Sequence, residues 1–383
     1  MFVYLDNAAT TKIDKEVLKV INNAYKNNYS NPSSIHFSGQ ENNQLLEQAR
    51  LNIAKNLKTD EDRLVFCSSA SEANNLIIKG VMQANQSKGK HLIISAIEHP
   101  SVYQTAMSLV DKGYQVDIAP VNKKGIVEVD ELKKLLKKET VLVSIMYANN
   151  EIGTIQPIEK LREITHNNSS YFHSDLVQAI KYNDINIDKL KVDFASLSAH
   201  KFNGPLGIGL AVLNKNVKID TQISGGEQES SYRSGTYNLP AILGLDKALS
   251  LAVSNRKENR KKVKEIRDYF WQKLQTEISD IKLNGCFKRR LLNNLNIHFS
   301  KVEGEAILID LSSKGIEVST GSACSAYNLK ASYVLAALGL KEEELNSNIR
   351  FSFSEDNTKS EINYTISQLK KTISRLRDFS PIK

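Results

Sequence analysis

The chain has 383 residues, is 41% hydrophobic and 25% charged, and carries a formal net charge of +8. Such a composition excludes a disordered or low-complexity chain and predicts two to three domains, or one large body with a smaller companion. No apolar run approaches the ~18 residues of a membrane span, and the three cysteines, Cys67, Cys286 and Cys324, have no paired spacing that would argue for a disulfide framework or a zinc site.

The first six residues show no basic region ahead of an apolar one, so no secretory signal is read and a cytoplasmic protein is expected. From about residue 60 to 215, apolar strands alternate with amphipathic helices. Strands are predicted at 64–66, 92–95, 115–118, 141–146, 171–173, 192–197 and 208–213. Their near-continuous apolar character suits strands covered on both faces. Helical patterns lie at 101–112 and 130–138, and a further one follows Pro157. This alternation predicts a mostly parallel sheet with helices on both faces.

Pro240 opens one long helical pattern that runs through Leu245, Leu249, Val253, Ile266, Phe270 and Leu274. Beyond it, predicted strands at 291–299, 305–311 and 349–353 mix with helices at 331–338 and 359–377, which reads as a smaller α+β domain. The boundaries expected are 12–258 for the large domain, with 1–11 and 259–383 forming the small one. The lysines are scattered through amphipathic helices and no nucleic-acid module accompanies them, so direct nucleic-acid binding is not expected. A basic surface suits an acidic protein, or one that carries RNA.

In open parallel sheets ligands bind beyond the carboxyl ends of the strands, and polar residues cluster there. Cys67 ends a strand and reads as a small buried hydrophobe. After it, Ala70 and Ser71 lie in a Ser-rich turn at a helix start, which either binds phosphate or is a plain N-cap. His99 follows the strand at 92–95, Asn149 the strand at 141–146, and Asp175 with Gln178 the strand at 171–173. The sixth strand leads to Ser198, His200 and Lys201. Each alone has an ordinary reading as cap, turn or surface residue. One cofactor would use them all: pyridoxal phosphate needs a lysine for its Schiff base, an acid for its ring nitrogen and donors for its phosphate. Far downstream, Cys324 lies among small residues in a loop expected to leave its thiol reachable, and a thiolate can attack sulfur.

With these residues in place, the sequence resembles the cysteine desulfurases, a branch of the class V aminotransferase-like pyridoxal-phosphate enzymes. The resemblance runs through residues 4–11 (YLDNAATT), 31–34 (NPSS), 72–76 (EANNL), 98–100 (EHP), 149–154 (NNEIGT), 173–175 (HSD), 198–201 (SAHK), 233–236 (RSGT) and 321–324 (GSAC), and ends on Arg350. It implies a seven-stranded, mostly parallel α/β domain with a smaller α+β domain, and an enzyme that converts L-cysteine to L-alanine. It implies Lys201 as the Schiff-base lysine, Asp175 at the ring nitrogen, Gln178 at the ring hydroxyl and His99 stacked on the ring as a proton carrier. Ala70, Ser71, Ser198 and His200 resemble the phosphate site, and Thr236 a residue that reaches the phosphate of a second subunit, hence a homodimer. Asn149 and Arg350 resemble the groups that hold the substrate, and Cys324 the thiol that becomes a persulfide.

Two stretches depart from the usual pattern. Residues 69–72 read SASE where many relatives have GATE, which leaves the turn geometry at Ser69 open. Residues 229–232, just before Arg233, read ESSY where a Glu-Arg-Gly pattern is more usual. The 324–333 segment resembles the branch with a long cysteine loop. The short C-terminus tilts the expected acceptor toward a tRNA sulfurtransferase rather than an iron–sulfur scaffold. No metal site is expected. A selenocysteine lyase, another class V enzyme or an inactive scaffold are the competing readings.

Overall fold

A computed structural model describes residues 1–320 and 331–379. All seven predicted strands form one sheet: β1 (Leu64–Cys67), β2 (His91–Ser95), β3 (Gln115–Ala119), β4 (Thr140–Ser144), β5 (Tyr171–Asp175), β6 (Phe194–Ser198) and β7 (Gly209–Val212). Their order is β1-β7-β6-β5-β4-β2-β3. Every neighbouring pair from β3 to β6 is parallel, and β7 runs antiparallel to both β6 and β1.

Alternation along each strand sends successive side chains to opposite faces. Phe66, Ile93, Val143, Ala195 and Leu210 face one core, shared with Leu46 and Ile53 of the helix Phe37–Leu57. Val65, Leu92, Leu142, Phe194 and Ala211 face the other. There they pack on α1 (Ala70–Ala84) and α2 (Pro100–Val110). The edge strand β3 is the one with exposed positions, as an uncovered edge permits.

A further core joins Val3 and Leu5 to Phe270, Ile297, Phe351 and Ile366. It holds an antiparallel sheet of β8 (Ile281–Leu283), β9 (Asn294–Phe299) and β10 (Asn348–Ser352), with β9 central. Residues Val3–Tyr4 pair in parallel with Ile316–Glu317, which ties the N-terminus to this smaller body and sends residues 6–11 across to the large one.

Two expectations fail in this half. The long helix after Pro240 is two helices, α3 (Leu239–Ser254) and α4 (Arg256–Glu277), broken at Asn255, whose φ of −93° and ψ of 1° leave the helical basin. Asparagine competes for backbone partners and so favours helix ends over interiors. Residues 305–311 are not a strand but part of the helix Gly304–Ser312. Ile307 and Leu311, one helical turn apart, are buried, while Ile309 between them is 60% exposed. A strand would have put all three on one face.

Candidate active site

A cavity of about 350 Å³ opens past the carboxyl ends of β1, β2, β5 and β6. It is lined by Ala70, Ser71, His99, Asp175, Gln178, Ser198, His200, Lys201 and Arg350. The parallel topology is what gathers them: residues spread over nearly three hundred positions leave their elements at one edge of the sheet.

Lys201 ends the short turn after β6, and its Nζ donates to the carbonyls of Ala8 (2.7 Å) and Ala9 (2.6 Å). Gln178 Nε2 donates to the same Ala8 carbonyl at 3.0 Å. Thr11 N donates to the His200 carbonyl at 2.9 Å, so residues 8–11 are laced to the lysine turn. These carbonyls had no assigned role in the sequence; the only signal for them was the 4–11 motif.

Asp175 is buried, with Oδ1 accepting from Val177 N (2.9 Å) and Oδ2 from Asn74 Nδ2 (3.0 Å). Asn74 also donates to Ser101 Oγ at 2.9 Å. Ser101 in turn meets His99 Nδ1 twice, through Oγ at 2.8 Å and through its N–H at 3.1 Å. The backbone donor makes Nδ1 an acceptor, which assigns the proton of the neutral ring to Nε2. Burial, reinforced by the Lys201 charge and opposed by Asp175, lowers the His99 pKa. Its resting form is therefore a neutral donor. His200 is pushed down to about 4, by burial first and by Lys201 second, so it too is neutral at pH 7.

Ser71 lies in the first turn of α1, where backbone N–H groups lack helical partners. The helix start is packed tightly on β7: a Cβ at Gly209 would come within 2.4 Å of the Ser69 carbonyl carbon. Ser69 itself is extended, at φ −167°, and accepts from Glu72 N, so the serine that replaces glycine costs the turn nothing. Ser231, at φ 66°, occupies the left-handed region that a glycine would take more easily. That segment is pinned instead by Glu229, whose carboxylate takes both terminal nitrogens of buried Arg50 (2.8 and 3.1 Å) and the Phe66 N–H (2.7 Å).

Arg350, on β10, reaches the cavity with Nη2 on Asp6 Oδ1 (2.7 Å) and Nη1 on the Asn150 carbonyl (3.2 Å). Two expected residues lie elsewhere. Asn149 is fully buried and turned from the cavity: its amide nitrogen donates to the Ile97 carbonyl, and its oxygen accepts from Glu151 N and Ile152 N, so it folds the loop that presents Asn150. Thr236 is exposed and borders a separate cavity of about 140 Å³ beside Arg233 and Tyr237. Cys324 lies outside the described residues.

Sequence reasoning also passed over Glu98. It is completely buried; Oε1 accepts from Ser95 Oγ and Met146 N, and burial raises its pKa to about 8. An unfolded chain ionises this carboxyl near 4.5, so between pH 4.5 and 8 the unfolded state binds fewer protons and stability falls as pH rises. Relative to the parent, Glu98→Gln should gain up to about 1.4 kcal/mol per pH unit across that window. Denaturant midpoints of both holoenzymes from pH 5 to 8 measure this, and parallel curves would refute it.

The aminotransferase class-V family model matches residues 3–365. A cysteine desulfurase IscS of Dictyoglomus turgidum is 44% identical over 381 residues, covering 100% of this chain and 97% of the relative. The chain belongs to the cysteine desulfurases of the aminotransferase class-V family. A solved NifS-like protein superposes on it with a TM-score of 0.92 at 36% identity, over 98% of this chain and all of the other. Another solved structure, SspA in complex with cysteine, reaches 0.82 at 30% identity, over 93% and 100%.

The enzyme uses pyridoxal phosphate, and its cavity suits that group. A lysine amine, a buried carboxylate and a helix N-terminus flanked by hydroxyls match an aldehyde, a pyridine nitrogen and a phosphate. When bound, the cofactor supplies a carbonyl for an amine and a sink for electrons from the substrate Cα. Among the described residues no cluster of His, Cys, Asp and Glu could hold a metal ion, and no helix is long and apolar enough to cross a membrane.

Proposed function

We propose that this desulfurase divides its work among the residues of the strand-end cavity. Lys201 carries the cofactor and then moves the proton at the substrate Cα. Asp175, held by Asn74 and Val177, meets the ring nitrogen. Ser71, Ser198, neutral His200 and the N–H groups at Ala70 hold the phosphate, and Gln178 the ring hydroxyl. Arg350 takes the substrate carboxylate with its planar fork, sharing it with Asp6. His99, a neutral Nε2–H donor at rest, is the proton carrier of the cavity. The observation that carries this reading is the meeting of Lys201, Asp175 and the α1 N-terminus in one cavity.

The sulfur step balances within the substrate and the thiol. The Cys324 thiolate attacks the substrate sulfur and the Cβ–S bond breaks. Its electrons return to carbon, which takes up a proton and leaves as alanine. Cys324 keeps the sulfur as a persulfide.

A homodimer is supported by Thr236, exposed away from its own chain's cavity, and by the apolar residues Tyr29, Ile35 and Phe37, at 84%, 93% and 75% exposure. The acceptor would be a protein of tRNA thiolation or of iron–sulfur cluster assembly in the cytoplasm, and the net charge of +8 favours an acidic one. The domain division at about residues 11 and 258 is supported by the separate cores.

Incubation with L-cysteine and a thiol reductant tests the scheme: alanine and sulfide should appear in equal amounts. Pyruvate in place of alanine would overturn it, and a fully active monomer in sedimentation would remove the dimer.

A further inference from the structure

Glu151 is a buried acid with no part in the chemistry above. It sits in the loop after β4, and its backbone is held from two sides. Its N–H donates to Asn149 Oδ1 at 2.9 Å, and its carbonyl accepts from Asn294 Nδ2 (3.2 Å) and Asn296 Nδ2 (3.4 Å) on β9. Its carboxylate Oε2 accepts a 2.6 Å hydrogen bond from Ser332 Oγ. Ser332 is the N-cap of α5 (Tyr333–Ala337), accepting from Leu335 N, and follows Cys324 by a few residues in the chain.

The rest of α5 is fastened to the same place. The Tyr333 hydroxyl donates to the Glu98 carbonyl, next to His99, and its ring lies 5.4 Å from that of Tyr103. Val334, Leu335 and Leu338 form a small core with Ile97, Met146 and Ile152, all from loops bordering the cavity. This core is separate from that of the smaller body. On the other side of the cysteine segment, Ser319 exchanges backbone hydrogen bonds with Arg350 (2.6 and 3.2 Å). Arg350 Nη1 holds the carbonyl of Asn150, the residue before Glu151.

We propose that Glu151 is a positioning residue for sulfur transfer: it fixes the start of α5, and so one end of the cysteine-bearing segment, on the loop that Arg350 holds. This rests on the roles proposed for Cys324 and Arg350. Arg350 is the charged group acting on the Glu151 carboxyl, and it opposes the effect of burial, so a substrate carboxylate bound to Arg350 weakens that support.

The test uses holoenzyme variants Glu151→Ala, Ser332→Ala, the double variant and Glu151→Gln. Each alanine variant should lose about tenfold in kcat, the worth of one charge-assisted hydrogen bond, with KM changed by less than about twofold. The double variant should be no worse than the worse single. The visible spectral change on adding L-cysteine should persist while persulfide accumulates about tenfold more slowly, which a general loss of structure would not produce. Glu151→Gln keeps an acceptor oxygen and should recover most of kcat. Parent-like kcat in both alanine variants, additive losses, or a raised KM with kcat intact would overturn the proposal. Full turnover by Cys324→Ser would instead overturn the reading it rests on.

Discussion

Lys201→Ala should leave a folded protein that no longer binds pyridoxal phosphate covalently and turns over L-cysteine about 10³-fold more slowly. Two functions vanish with one amine: attachment of the carbonyl, and proton movement at Cα, which general acid–base catalysis values at about 10²–10⁴-fold on its own. Among the described residues no neighbour can take its place. His200, next in the chain, has its pKa pushed down to about 4 and makes a poor base near neutrality. His99 presents a donor nitrogen to the cavity while Ser101 occupies the other. The fold should survive, because the Nζ bonds to Ala8 and Ala9 supplement the backbone bond from Thr11 to His200. Borohydride reduction followed by peptide mapping decides the matter: the parent should carry the cofactor on Lys201, and the variant nowhere. Label fixed to another side chain of the parent would end this interpretation.

Cys324→Ser should keep the cofactor's visible absorbance and its response to L-cysteine, yet release sulfide at least about 10³-fold more slowly, because the hydroxyl is not appreciably ionised at neutral pH. A thiol with a pKa of about 8.5 is a few per cent thiolate at pH 7. Simultaneous measurement of sulfide and of the visible spectrum separates cofactor loss from nucleophile loss. A serine variant with parental turnover would remove Cys324 from the reaction.

The strand-end residues were legible because most strands, β1, β2, β4, β6 and β7 among them, are short runs buried on both faces, and polar residues follow soon after they stop. Lys201, Asp175 and His99 could be read off those stops. Asn149 looked equivalent, yet its amide is spent on closing its own loop. An Asn-Asn pair in a strand-end turn does not reveal which member turns inward; the bonds to Ile97, Glu151 and Ile152 do. The apolar run 305–311 was ambiguous for a related reason: short apolar stretches suit a strand or a helix until a neighbouring surface chooses between them.

By itself the sequence determined the class of fold and, through its resemblance to a known family, the cofactor chemistry; the strand-end places of the amine and the acid proposed to hold that cofactor also follow from local patterning and residue type. Only the tertiary structure decided which way His99 carries its proton, that Asp6 and Asn150 already occupy Arg350, and that Glu98 and Glu151 are buried acids beside the site. Those properties arise from groups far apart in the chain brought within hydrogen-bonding distance and out of water. Burial and pairing of that kind are set by the packing of strands, loops and the smaller body against one another, which no single stretch of residues encodes.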